Sequence, residues 1–327
     1  MPFFIFIRFT TFETDNYFHI CNMIKYRKQR EKYRNMGKGY YHLVTDGWKG
    51  GIIFNSVAQF AYGMMLIGLI SIKYSLVIYD FTLMPNHIHI IISGTGNDAV
   101  EAFLYLKRKL NQRLSADGFP TLPDDYGFKL VPIEDEKQMR DTIIYVDRNH
   151  YEKMLSVPGG YPWGSSYLYY SQLGLMIKGK KVSDMTIREL QNWTGSKVNL
   201  PPNWQIHPVF GLLPVSFINT CFIKKLFKGP KDYATHLVKD YETCANIAMS
   251  IGEEIDYEDY EVRDIVSRLL AQDYMGMPLS KLDGNEKGRL AVTLHRRYGL
   301  SPEAIARAMS LSVHLVNQFI NAKDYRK

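Results

Sequence analysis

Cysteine and long apolar runs are both scarce in this sequence of 327 residues. Cys21, Cys221 and Cys244 offer neither a disulfide framework nor the spacing of a zinc site, so a reducing, cytoplasmic compartment is expected. No stretch reaches the ~18 apolar residues of a membrane span, and the run over 57–70 suits a buried helix. The apolar first 16 residues lack the positively charged start and the small-residue cleavage site of a signal peptide. No membrane partner is therefore expected.

A strong excess of charge is also lacking. Charged residues make up 22% of the chain and hydrophobic residues 46%, a composition that excludes intrinsic disorder as the main state. The net charge of +7 permits a polyanionic partner without requiring one. Basic residues crowd into 25–38, so residues 1–38 form a basic leader. Three interpretations stay open for it: a solvated segment, an arm on nucleic acid, or a stretch before a true start at Met23 or Met36.

Hydrophobic periodicity predicts alternating strands and helices in the part that follows. Strands are predicted at 39–45, 74–83, 87–93 and 128–133, and helices at 57–72, 98–116 and 136–155. The break at Met84-Pro85-Asn86 makes the second and third strands an antiparallel hairpin. This order predicts an α+β fold with helices packed on a small antiparallel sheet.

The pattern changes after residue 173, where lysines and prolines interrupt it. Helices are predicted at 216–227, at 231–251 and again from Val262 onward, whereas 252–261 is acidic and is a linker or a charged helix start. The chain then divides into the leader at 1–38, a first domain at 39–172, a helical connector at 173–261 and a helical region at 262–327.

Two histidines mark the first candidate site. His87 and His89 are two apart in a predicted strand, so both imidazoles face the same way, opposite to the isoleucines between and after them. Two such imidazoles can bind one metal ion. They can equally be hydrogen-bonded histidines at the end of a strand.

A tyrosine and an asparagine mark the second candidate site. Tyr145 and Asn149 are four apart in a predicted helix and therefore share one face. A phenol and an amide oxygen then project together from that face. The alternative is a tyrosine packed in the core beside a capping or solvated asparagine.

Taken in order, these motifs resemble those of the HUH-type single-tyrosine transposases. LMPNHIHIIISG at 83–94, followed by Tyr145 and Asn149, is most similar to the REP-associated tyrosine transposases and their insertion-sequence relatives. YYHLVT at 40–45 takes the place of the opening strand of that family, and YPWGSSY at 161–167 resembles its W-S-S-Y segment. The resemblance covers roughly residues 39–172, and His150 follows Asn149 where the family often has proline.

The resemblance implies a fold, a site and a substrate. The fold is a ferredoxin-like antiparallel sheet with packed helices, usually in a homodimer. His87, His89 and Asn149 would be ligands of Mg²⁺ or Mn²⁺, and Tyr145 would be the nucleophile. The implied partner is single-stranded DNA, with hairpin DNA as a further candidate. The chemistry is consistent with this, because a tyrosine can form a covalent phosphoenzyme link and a cation can offset charge on a phosphate.

Further residues are candidates for contact with DNA. The helix at 98–116 carries an outward basic row that can follow a phosphate backbone or can simply be solvated: Lys107, Arg108, Lys109 and Arg113. Aromatic residues between 161 and 170 can stack on bases, although core packing is favoured for most of them. Near the C-terminus, Ser301-Pro302 starts one helix and Ser310–Ser312 precedes a second, in a pattern similar to a helix-turn-helix. The second helix would present His314, Asn317, Gln318 and Asn321 to a major groove.

The sequence thus predicts a DNA transposase and single-strand nickase that acts through a 5′-phosphotyrosine intermediate. Two alternatives remain: a non-catalytic DNA-binding regulator that uses the C-terminal helices, and a metal-dependent nuclease that uses water.

Overall fold

The computed structural model describes residues 27–47, 51–152, 159–195, 198–253, 255 and 257–322. They form two compact units that interleave along the chain. The first unit holds the described residues up to Glu134, with Pro162–Leu168 and Gln172–Thr220. The second holds Asp135–Tyr161, Tyr169–Ser171 and the described residues from Cys221. Most of the predicted leader, residues 1–26, lies outside the described residues.

Within these residues the fold is α+β, as predicted, and the strands belong to the first unit. The strands are β1 (Lys38–Thr45), β2 (Val77–Leu83), β3 (Ile88–Thr95), β4 (Phe128–Ile133), β5 (Lys180–Lys181), β6 (Gln205–His207) and β7 (Gly211–Leu212). The helices are α1 (27–34), α2 (Val57–Lys73), α3 (Gly96–Ala116), α4 (Glu136–Glu152), α5 (Leu173–Met176), α6 (Ile187–Thr194), α7 (Thr220–Lys225), α8 (Pro230–Lys239), α9 (Tyr241–Ile251), α10 (Asp259–Asp273), α11 (Gly284–Tyr298), α12 (Pro302–Met309) and α13 (Val313–Asn321).

The main sheet of the first unit has four antiparallel strands in the order β2-β3-β1-β4. The predicted hairpin is confirmed, because Leu83 pairs with Ile88 and the Met84 amide donates to the His87 carbonyl at 2.9 Å. The predicted elements from the first strand to the fourth are present in their predicted order. This part of the fold follows from local patterns, namely alternating strands, two amphipathic or apolar helices and one proline turn.

The outer edge of β2 is covered by the segment around Trp163 to Ser165. The Leu83 amide donates to the Trp163 carbonyl at 2.8 Å, and the Ser165 amide donates to the Phe81 carbonyl at 3.0 Å. The Ser165 hydroxyl donates to the buried Asp80 carboxylate at 2.5 Å. An edge strand with satisfied backbone groups does not offer a template for pairing with another chain.

Helix α2 is apolar on nearly every side and is buried along most of its length. Ser56 caps its first turn by accepting from the Gln59 amide. At Gly68 a β-carbon would lie 2.1 Å from the side chain of Leu212, so β7 approaches the helix closely at this point. Among the described residues, no helix combines the length and the apolar character that a membrane crossing requires.

Residues 173–220 depart from the predicted helical connector. They contain the short helices α5 and α6 and a three-stranded antiparallel sheet in the order β5-β6-β7. Strands of two or three residues are too short to produce a readable alternation, which explains why the sequence pattern did not indicate them.

The second unit is helical in its described part. Helices α10 to α13 enclose an apolar core that includes Ile265, Leu269, Leu294, Ile305 and Val316. The predicted helix at 231–251 is two helices, α8 and α9, because the backbone leaves the helical region at Asp240, where φ is −86° and ψ is 51°.

The predicted cap of α12 is confirmed, and the predicted turn at Ser310–Ser312 also supplies a cap for α13. Ser301 accepts from the Ala304 amide, Pro302 follows it, and Ser312 caps α13 by accepting from the Leu315 amide. Ser310, in the left-handed region at φ 53°, ends α12. In the sequence, Val313, Val316 and Ile320 recur at i, i+3 and i+7, which predicts that they form the inward side of α13. Val316 is buried, but Val313 is exposed.

We expect Gly211→Ala to destabilise the first unit by about 3 kcal/mol. Its φ is +69°, and a β-carbon would lie 2.3 Å from the Ala61 carbonyl oxygen, so backbone strain and steric overlap add together. The matched control is Gly195→Ala, where φ is +61° and the surrounding space is open, so strain alone should cost about 1 kcal/mol. Urea denaturation measures both, and equal losses would contradict the close packing of β7 on α2.

Candidate active site

Three histidines meet on the main sheet of the first unit. The rings of His87 and His89 lie edge to face with centroids 4.7 Å apart, which confirms that they face the same way. His42 on β1 stacks on His89 with centroids 5.3 Å apart, and its Nε2 lies 3.1 Å from Nδ1 of His89. Strand pairing explains this contact: Val44 pairs with His89, and His42 lies two residues before Val44 on the same face of β1.

His42 is the residue that the sequence did not single out. It belongs to the opening strand YYHLVT, where no motif marks it as a site residue. Its proximity to His89 depends on the register between β1 and β3, which no local pattern reveals.

Hydrogen bonds fix the orientation of the two predicted ligands. Nδ1 of His87 lies 2.7 Å from the Asn86 side-chain oxygen, which can only accept, so this contact fits the tautomer with its proton on Nδ1 and its lone pair on Nε2. If His89 likewise donates from Nδ1 to His42, its lone pair is also on Nε2. Burial, and then the neighbouring imidazoles of His89 and His87, lower the pKa of His42 well below its usual range. Imidazoles oriented through Nδ1 are typical metal ligands, so the pair fits a divalent cation.

Tyr145 lies on α4, in the second unit. Its side chain is buried, and its hydroxyl donates to the carboxylate of Glu253, a residue 108 positions away. Asn149 is also buried, and its amide nitrogen donates to the Tyr145 carbonyl at 3.0 Å. With the nitrogen so engaged, the amide oxygen is the atom that Asn149 would offer to a ligand.

The two residues before Asn149 tie α4 to other helices of the second unit. Arg148 is completely buried and forms an ion pair of 2.5 Å with Glu261 at the start of α10. It also donates to the Leu237 carbonyl at 2.6 Å and lies over the Tyr241 ring at 4.8 Å. Asp147 accepts from the Tyr233 hydroxyl at 2.6 Å. Helices α8, α9 and α10 thus fix the rotation of α4 and with it the direction of Tyr145.

His150, where the related family often has proline, is part of the same packing. Its ring stacks on Tyr161 at 4.7 Å, and burial lowers its pKa to about 3. It is therefore neutral at pH 7 and keeps α4 helical through this position, which a proline would interrupt.

The aromatic residues between 161 and 170 are mostly packed in the interior. Tyr161, Trp163, Tyr167 and Tyr169 are buried, and Trp163 stacks on Phe60 at 5.0 Å. The core packing that the sequence favours for most of these aromatic residues is therefore confirmed.

The predicted basic row on α3 divides into two kinds of residue. Lys107 donates to the carbonyls of Asp124 and Tyr126, and burial lowers its pKa. Arg113 pairs with Asp117 at 2.7 Å. Arg108 is exposed and Lys109 is half-buried, each near the Tyr105 ring. Arg108 and Lys109 are therefore the more accessible candidates for a phosphate.

The predicted recognition residues of α13 all lie on its exposed side. They are His314, Asn317, Gln318 and Asn321. His314 and Gln318 are within hydrogen-bonding distance at 3.1 Å, and Asn321 donates to the Asn317 carbonyl.

Comparison with protein-family models, with curated proteins and with solved structures finds no match to this chain. The candidate site is therefore supported by the geometry of its own residues and by the sequence motifs.

We expect Arg148→Ala to destabilise the second unit by about 3–5 kcal/mol, because it leaves the Glu261 carboxylate buried and unpaired. The double variant Arg148→Met/Glu261→Leu removes both charges and should recover much of that loss. Arg268→Ala, which breaks the partly exposed pair with Asp264, is the control and should cost below about 1 kcal/mol. Thermal denaturation followed by circular dichroism compares them, and a double variant as unstable as the single one would contradict this account.

Proposed function

We propose that the protein is an HUH-type single-tyrosine transposase that cleaves and rejoins single-stranded DNA. The observation that carries the proposal is the pair His87 and His89, whose rings adjoin and whose Nδ1 atoms both have hydrogen-bonding partners. The ordered motif of this pair followed by Tyr145 and Asn149 supports it.

The strand order of the main sheet is a second support. A β-α-β-β-α-β chain with antiparallel order β4-β1-β3-β2 is the arrangement of a ferredoxin-like sheet. We therefore propose a ferredoxin-like fold for the first unit, with a homodimer as the assembled form that the resemblance implies.

We propose that His87 and His89 bind Mg²⁺ or Mn²⁺ through Nε2, with Asn149 as the third ligand that the resemblance implies. When bound, such a cation polarises the scissile phosphate and offsets its developing charge. Imidazole and amide ligands are neutral, so they leave the cation's charge available to an anionic substrate.

Tyr145 supplies the nucleophile. Its phenolic oxygen attacks the phosphorus, the bond from phosphorus to the 3′ oxygen breaks, and the DNA is left with a 3′-OH and a 5′-phosphotyrosine link. In the return reaction a 3′-OH attacks that link and Tyr145 leaves. Because the covalent link conserves the phosphodiester, the strand can be rejoined without a further energy source.

Contacts with DNA are proposed at two surfaces. Arg108 and Lys109 on α3 would bind backbone phosphates. The exposed amides of α13 would read base edges in the manner of a helix-turn-helix.

The exposed polar side of α13 also favours one alternative, a DNA-binding regulator without catalysis. Two capped helices joined by a short turn present polar side chains to solvent, which is the kind of surface that a helix-turn-helix inserts into a major groove. Retention of duplex DNA without metal, and without any covalent product, would support this alternative.

The purified chain should form a covalent adduct with labelled single-stranded oligonucleotides that contain its own flanking DNA. A denaturing gel with Mg²⁺ or Mn²⁺ should show a shifted band that disappears with chelator and in Tyr145→Phe. Tyr170→Phe removes another hydroxyl of the second unit, which donates to the Lys224 carbonyl, and should keep the adduct.

The double variant His87→Ala/His89→Ala should lower adduct formation at least about 100-fold, since it removes two of the proposed ligands. His207→Ala is its control. An adduct in Tyr145→Phe would contradict the assignment of the nucleophile, and strand cleavage without any adduct would indicate a nuclease that uses water.

A further inference from the structure

The acidic segment at 252–261 has no role in the function proposed so far. Two of its acids reach α4: Glu253 accepts from the Tyr145 hydroxyl, and Glu261 pairs with Arg148. The two contacts are three residues apart on α4, close to one turn of helix. An acidic run is usually a solvated surface, so two contacts with the helix that carries the proposed nucleophile call for an explanation.

The backbone at Glu253 is fixed by the end of α9. Gly252 adopts the left-handed conformation at φ 69°, its amide donates to the Met249 carbonyl, and the Glu253 amide donates to the Ala248 carbonyl at 2.9 Å. This pair of bonds is the Schellman motif, in which a glycine ends the helix and the next residue is held against its last turn. The backbone of Glu253 is therefore held by the last turn of α9, and its side chain extends from that fixed position.

The phenol is fixed on the other side by α4. Tyr145 is 3% exposed, and the neighbouring residues of α4 are held by Tyr233, Leu237 and Glu261. A buried phenol has two broad orientations of its hydroxyl hydrogen, and an acceptor on one side selects one of them. An accepted O–H also directs an oxygen lone pair away from the carboxylate.

We propose that Glu253 is a positioning residue for Tyr145. Its carboxylate accepts the phenolic hydrogen and thereby aims a lone pair of the phenolic oxygen at the incoming phosphorus. This inference rests on the proposed function, since it assumes that Tyr145 is the nucleophile. The acidic segment then holds α4 through Glu261 and the phenolic oxygen of Tyr145 through Glu253.

The test compares Glu253→Ala with Glu253→Gln in single-turnover adduct formation with labelled oligonucleotide. Alanine removes the acceptor and should lower the rate at saturating oligonucleotide by roughly 10–100-fold, the range expected for a misplaced reacting group. The half-saturating oligonucleotide concentration should stay within about twofold, because DNA binding does not use this contact. Glutamine keeps an acceptor oxygen and should restore the rate to within several-fold of wild type, since a neutral acceptor is roughly half as strong.

Asp259→Asn is the matched control, because it removes an acid of the same segment whose side chain is exposed and is paired only at 3.8 Å with Arg307. It should leave the rate unchanged. A Glu253→Gln variant as slow as the alanine variant, with both folded, would overturn the positioning role, and so would an alanine variant with wild-type rate.

A second readout does not depend on catalysis. With 3-fluorotyrosine in place of Tyr145, the ¹⁹F resonance of the metal-free protein should shift in Glu253→Ala and shift less in Glu253→Gln. An unchanged resonance would overturn the inference even if the alanine variant folds poorly. If the wild type forms no adduct while the resonance still responds to substitution of Glu253, the result contradicts the proposed function and supports the contact between Glu253 and Tyr145.

Discussion

Arg148 brings a full positive charge into the interior of the second unit, and Glu261 is the group that allows it to remain there. An isolated buried guanidinium would cost several kcal/mol, and the ion pair, the Leu237 carbonyl and the Tyr241 ring together offset that cost. A buried pair of this kind adds little net stability compared with apolar residues of similar volume. What the pair contributes is orientation: Arg148 holds one side of α4 against Glu261, Leu237 and Tyr241, and Tyr145 lies three residues away on the same helix.

The histidine cluster of the first unit depends on a different constraint, the alternation of side chains along paired strands. Because β1 and β3 are antiparallel neighbours, His42 and His89 lie diagonally opposite each other on one face of the sheet. His87 precedes His89 by two residues and therefore faces the same way. Burial keeps His42 neutral, so it can hydrogen-bond to His89 without competing as a charge. The two predicted ligands thus gain an oriented neighbour from the sheet itself.

Local patterns in the sequence were sufficient for the first four strands, the hairpin at Met84–Asn86, the cap of α12 and the turn before α13. They failed where the decisive contact is distant or the element very short. The register that brings His42 to His89, the bond from Tyr145 to Glu253 across 108 positions and the strands of two residues have no periodic signal. The break between α8 and α9 has no strong signal either, because the low helix propensity of Asp240 alone is a weak indication within a run that otherwise favours helix.

The contacts of α4 with the C-terminal helices indicate how much of the chain is needed to hold Tyr145 in place. The sequence motifs end near residue 172, and the sequence predicts a first domain at 39–172. Yet α4 belongs with the C-terminal helices, and its side chains contact Tyr233, Leu237, Glu253 and Glu261. A fragment that stops at residue 172 would expose the apolar side of α4 and leave Arg148 without its carboxylate. If Tyr145 is the nucleophile, the residues that hold it extend at least to Glu261, so the part of the chain on which it depends continues well beyond the sequence motifs.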